Sequence, residues 1–126
     1  MIVFTFDNPD GLEMLGDTLK NLFGNELRYH GFTSTGALLQ ETLRRTFDVV
    51  FAQADNSSGI MLLNGLHKSW PHSNLIGVSD EESVQIALLL HRIHASDYLI
   101  KPYDTERLAD SFLHLRYPVR DVRFKN

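Results

Sequence analysis

Gln53 closes the apolar run DVVFAQ, and an amide is an unexpected residue at that place. In an open α/β sheet the loops beyond the carboxyl ends of the strands are where ligands bind and reactions run. An amide donates and accepts hydrogen bonds but is no nucleophile. A carboxylate, Asp55, follows two residues later with the same strand parity, so it is the alternative group for this position. Asp7 ends the first apolar run and Lys101 ends the last, which makes them candidates for an ion pair, with the Gln53 oxygen as a second acceptor for the ammonium. His91 and His94 stand one helical turn apart, but two ligands on one exposed face make no metal site. Cysteine is absent, which excludes disulfides, thiol catalysis and thiolate metal sites. After the first run comes DNPDG, acidic where a phosphate-binding loop would be rich in glycine.

The elements that must position these residues are short apolar runs alternating with stretches of helical period. Residues 2–6, 27–32, 48–53, 74–79 and 97–101 read as strands, and helices are predicted at about 10–22, 35–45, 59–69, 82–94 and 104–116. Five βα units give a parallel sheet with helices on both faces. Asp104 is predicted to cap the last helix and Ser79 or Asp80 the fourth, while Trp70-Pro71 stops the third. Gly59 is expected in a backbone conformation that other residues resist.

A chain of 126 residues, 43% apolar and 22% charged, fits one soluble domain with a single core region. The longest apolar run falls far short of the roughly 18 residues a membrane helix needs, and MIVFTFDNPD has no basic stretch of the kind that opens a secretory signal. The reading is a cytoplasmic protein with no membrane contact. Net charge is -4, which argues against direct nucleic-acid binding. The basic tail Arg116, Arg120, Arg123 and Lys125, with Asp121 against it, reads as solvated. Residues 117–126 are expected to be a linker or the start of a C-terminal output domain.

Over residues 1 to 116 the order of elements, with IVFTFDN, DVVFAQ, LIGVS and DYLIKPY in register, resembles the receiver domain of two-component response regulators. DYLIKPY followed by a helix is the most specific of the four. The resemblance implies a flavodoxin-like (CheY-like) three-layer α/β/α sandwich, its five parallel strands in the order 2-1-3-4-5. In that family an aspartate at the end of strand three takes a phosphoryl group. Two acidic residues after strand one hold magnesium, and a Ser or Thr and a lysine bind the phosphoryl oxygens. Matched position by position, Gln53 stands at the phosphoacceptor, Asp7 and Asn8 at the acidic pair, Ser79 and Lys101 at the phosphate-binding positions and Tyr98 at the aromatic switch. A cis bond between Lys101 and Pro102 is implied as well.

The departures fall on the chemistry. An amide at 53 forms no acyl phosphate, and of three family carboxylates only Asp7 survives, so magnesium is expected to bind weakly or not at all. The loop from Gln53 to Gly59 is short and lacks proline, and Asp80, after Ser79, would repel a phosphoryl group. The resemblance therefore implies a phosphorylation-independent receiver, without catalytic residues, that signals through protein contacts. The other reading is a receiver that takes phosphate at Asp55 with magnesium.

The fourth helix carries more apolar residues than one face needs. Val84, Ala87 and Leu88 form one side, and Ile86, Leu89, Leu90 and Ile93 form roughly the other. One side covers the sheet, and the second is read as an interface, with packing against neighbouring helices as the alternative. In receivers the face made by helix four, strand five and helix five is a common dimer surface, so the resemblance implies a homodimer there. A sensor protein or output domain is the further partner. His94, where many receivers close the helix with glycine, is expected to be left-handed.

Overall fold

Residues 1–119 and Phe124 are described by the computed structural model; Arg120, Asp121, Arg123 and Lys125 of the basic tail lie outside the described residues. Five strands, β1 (Ile2–Phe6), β2 (Arg28–Phe32), β3 (Val49–Gln53), β4 (Asn74–Ser79) and β5 (Asp97–Ile100), form one parallel sheet in the order β2-β1-β3-β4-β5. The helices are α1 (Pro9–Phe23), α2 (Thr35–Thr42), α3 (Ser57–Ser69), α4 (Val84–Arg92) and α5 (Thr105–Leu113), with a single short turn of helix at Gly24–Glu26. This is the flavodoxin-like (CheY-like) arrangement, in the strand order expected.

Strand period two splits the core into two layers. Val3, Val49, Phe51, Ile76, Val78 and Leu99 face α1 and α5 and meet Leu15, Leu19, Leu108 and Phe112. Phe4, Val50, Ala52 and Leu75 face the other way, onto Leu38, Leu62, Leu63, Leu66 and Leu90. Helices on both faces leave every residue of β3 and β4 buried, which is why those strands read as continuous apolar runs.

Each helix begins on a side chain that accepts an otherwise unpartnered N–H. Asn8 caps α1 at Gly11 N with Pro9 in the first helical position, Ser34 caps α2, Asn56 caps α3 and Asp104 caps α5 as predicted. The cap of α4 is Ser83, not Ser79 or Asp80; those two side chains are engaged at the functional site, and the helix starts later than predicted. His94 closes α4 with φ 57°, the left-handed conformation expected of it, and the Lys101–Pro102 bond is cis.

Two further ties fix the edges. Arg107 donates twice to Asp97, at 2.7 and 2.8 Å, and Ser111 also donates to Asp97, which joins α5 to β5. Burial pushes the Asp97 carboxyl up, but these bonds and the Tyr98 N–H outweigh it and hold it below the usual carboxylate range. Buried Asn74 donates to the Tyr117 carbonyl at 2.8 Å and accepts from Tyr117 N–H at 2.9 Å and Ser96 Oγ at 2.8 Å. The segment leaving α5 is thereby fastened to the start of β4.

Helix α4 faces the sheet with the side that the sequence assigned to an interface. Leu90 is 3% exposed, and Ile86 and Ile93 pack on the same core, while Val84 is 73% and Leu88 56% exposed. The physical reason is Gly77 of β4: a Cβ there would lie 2.5 Å from Leu90 Cδ1, so the missing side chain makes the hollow that Leu90 fills. Of the four predicted interface residues only Leu89, at 39%, is on the outer side. Gly59 also differs from expectation. It is absent from the residues with positive φ, and its role is close approach: a Cβ would lie 1.6 Å from the Gln53 carbonyl oxygen.

Candidate functional site

The site lies at the carboxyl end of the sheet, where β1, β3, β4 and β5 deliver Asp7, Gln53, Ser79 and Lys101. Asp7 is 6% exposed and closed in by the backbone of Gly11, where a Cβ would come within 2.1 Å of its Oδ2. Its Oδ1 accepts from Asn8 N–H at 2.7 Å, and its Oδ2 takes Lys101 Nζ at 2.9 Å. The predicted Asp7–Lys101 pair is present. The second acceptor for the ammonium is Asp80 Oδ1 at 3.6 Å, not the Gln53 oxygen, because the amide turns the other way. Burial pushes the Tyr29 phenol up to about 12 and that of Tyr103 up as well, and the Asp7 charge adds to both shifts.

Gln53 Nε2 donates to Asp55 Oδ2, and Asp80 N–H donates to the same oxygen at 2.9 Å. Asp55 therefore folds back over the end of β3 and bridges Gln53 to the loop after β4. Turning the amide over would set oxygen against carboxylate, so its orientation is determined, and Gln53 Oε1 is left buried without a hydrogen-bond partner among the described residues. Asp7, Asp55 and Asp80 against Lys101 leave three negative charges on one positive, but the carboxylates do not converge. Among the described residues no group of three His, Cys, Asp or Glu is placed to hold a metal ion.

These residues do not suit a magnesium ion. The Asp7 oxygens are committed to an ammonium and a backbone N–H, and the Asn8 oxygen caps α1 by accepting from Gly11 N–H at 2.8 Å. A hard cation would have to displace Lys101 and find its remaining charge from carboxylates that point elsewhere.

Ser79 and Tyr98 form the other half. Ser79 is fully buried; its hydroxyl donates to the Glu81 carbonyl at 2.6 Å and stands 2.7 Å from Tyr98 OH. The Glu81 carbonyl lies 2.6 Å from Ser79 Oγ and 3.5 Å from Tyr98 OH, so the shorter contact takes the Ser79 proton and Tyr98 donates to Ser79, while Tyr98 accepts from Ser83 N–H at 3.2 Å. The chain Ser83 N–H to Tyr98 to Ser79 to Glu81 holds the tyrosine inward and fixes the loop that starts α4.

The structure brings together Asp7, Gln53, Asp55 and Lys101, and beside them Ser79 with Tyr98. It does not add Asn8, and it places Ile86, Leu90 and Ile93 in the core rather than on a partner surface. Sequence reading missed Asp80 as a partner of Lys101, and it missed the cap role of Asn8, which the Asn-Pro pair opening a helix signals.

No family model matches the sequence, and no curated protein does. Solved structures do match. A signal receiver domain of an HD domain-containing protein from Pseudomonas fluorescens Pf-5 superposes with a TM-score of 0.78 at 20% identity, over 90% of this chain and 91% of that one. A response regulator receiver protein from Pseudoalteromonas atlantica gives 0.77 at 20%, over 90% and 94%. RcsB from Salmonella enterica, bound to promoter rprA in the presence of phosphomimetic BeF3-, gives 0.74 at 16%, over 91% of this chain and 67% of that one. The chain thus has the fold of response regulator receivers.

Proposed function

We propose that this chain is a receiver-type signalling module that works by protein association, without phosphoryl transfer at the end of β3 and without enzymatic activity. The observation that carries the reading is the closed polar cluster: Gln53 at the acceptor position is bonded to Asp55, and Lys101 is already paired with Asp7 and Asp80. Asp7, which would receive magnesium, and Lys101, which would receive a phosphoryl group, are bound to each other, so magnesium binding should be weak or absent.

Intact-mass measurement after incubation with acetyl phosphate and magnesium tests this. The mass is expected to stay that of the unmodified chain. A stable phosphoryl adduct mapped to Asp55 would overturn the reading in favour of the second one, a displaced acceptor. That alternative has one observation behind it: the Asp55 carboxylate already lies against Gln53 and the Asp80 N–H, inside the site.

The partner surface that fits an association mechanism is the α4–β5–α5 face, with Val84, Leu88 and Leu89 as its apolar residues. We place a second copy there, and a C-terminal output domain as the element controlled. RcsB, of which this chain spans 67%, is solved on a promoter, and that supports an output that binds DNA; the net charge of -4 argues against DNA binding by this domain itself. Sedimentation velocity should show a dimer that Val84→Glu with Leu88→Glu converts to monomer. Four apolar side chains leave a symmetric contact, each worth roughly 1.5 to 3 kcal/mol when fully buried. A monomeric wild type defeats the claim.

A further inference from the structure

At the opposite end of the sheet, where ligands of α/β folds do not ordinarily bind, a cleft of about 560 Å³ opens between the loop before β3 and the loop before β4. That volume lies within the range of small-ligand sites, roughly 300–1,000 Å³. Its wall is aromatic: the Phe47 and Trp70 rings meet edge to face at 6.2 Å, with His72 beside them. Trp70 is 45% exposed and Leu43, on the other lip, is 84% exposed. The chain as a whole carries a net charge of -4, yet the cleft is lined by Arg44 and Arg45 and by no carboxylate. Arg45 is paired with Glu41 at 2.6 Å, whereas the Arg44 guanidinium has no carboxylate partner among the described residues. A free guanidinium presents several donors in a planar fork that suits carboxylate, sulfonate or phosphate oxygens.

We propose that this cleft binds a small planar aromatic anion, its ring against Phe47 and Trp70 and its acidic group on Arg44. The two parts of such a ligand answer the two features of the site. The ring covers aromatic surface otherwise left in water, and the anion supplies the counter-charge that Arg44 lacks. Neither part depends on the cluster around Gln53, so the site stands whether or not the domain takes phosphate.

Trp70 is the one tryptophan of the sequence, which gives the test a local reporter. Anilinonaphthalene sulfonate is titrated into the full chain, with energy transfer from Trp70 to the probe as the readout and circular dichroism as the check on folding. The expected result is saturable binding at one site, weakened about tenfold or more by Arg44→Ala, since a hydrogen bond to a charged group is lost. Uncharged anilinonaphthalene should bind correspondingly weaker and be indifferent to that substitution, while Lys20→Ala, on α1, should leave sulfonate binding unchanged. Transfer that fails to saturate, or equal affinity of wild type and Arg44→Ala, overturns the proposal. So does a Trp70 emission that shifts with protein concentration without probe, which would assign the cleft to a second copy.

Discussion

Gly59→Ala is expected to destabilise the domain by about 3 kcal/mol or more, the upper end of overpacking effects. The added methyl would lie 1.6 Å from the Gln53 carbonyl oxygen and 2.8 Å from its carbonyl carbon. Both are backbone atoms of a fully buried central strand, so no side chain can swing aside. Relief requires α3 to lift from β3, and α3 carries Leu62, Leu63 and Leu66 into the core. Domains of this size are stable by only about 5–15 kcal/mol, so the loss is a large fraction of the whole. Urea unfolding should show the midpoint falling by about 1 M or more, given slopes of about 1–3 kcal/mol per molar. Gly65→Ala in the same helix is the control. Nothing lies within 4 Å of its added methyl, and removing a mid-helix glycine should stabilise by roughly 0.5 to 1 kcal/mol. A Gly59→Ala variant as stable as wild type would show that α3 moves freely on the sheet.

The contrast between these glycines marks what the sequence discloses. Apolar runs of period two and stretches of period 3.6 are local, and they disclose the five βα units; the Asp7–Lys101 pair was legible through the resemblance to receivers, which places both at the site. Gly59 stood out as turn chemistry, but whether a glycine serves φ or close approach depends on what faces it, and the Gln53 carbonyl is brought there by β3. Helix α4 shows the same limit. From Val84 to Ile93 it is apolar on both sides, and the tie is broken by Gly77, on a strand, which opens room for Leu90. Ser79 looked like a cap because Ser before a helix often is one. Its hydroxyl is instead used by Tyr98 and Glu81, and the tyrosine reaches it from β5. Asp80 was legible as a charge hostile to phosphate. That it also holds Lys101 follows only from the loop geometry after β4.

Restoring the acceptor is the sharper test of why the site is closed. Gln53→Asp alone should gain almost no phosphoryl group from acetyl phosphate. It places a carboxylate against Asp55, while Lys101, the nearby cation, is already taken by Asp7 and Asp80. Repulsion of that kind raises carboxylate pKa values and favours the neutral, non-nucleophilic acid. Adding Asn8→Asp keeps the cap on α1, since Asp caps as well as Asn, and supplies a second, charged oxygen free for a cation. Adding Asp80→Ala removes one negative charge and the competing partner of Lys101 at 3.6 Å. The triple variant should then take up one phosphoryl group in the presence of magnesium and lose that ability with a chelator. Magnesium should raise its melting temperature and leave the wild type unchanged; binding to the folded state alone stabilises by about 2.7 kcal/mol at a hundredfold excess over Kd. Equal phosphorylation of the single and triple variants would mean that the missing carboxylate, and not the closed cluster of Asp7, Lys101 and Asp80, is all that keeps phosphate out.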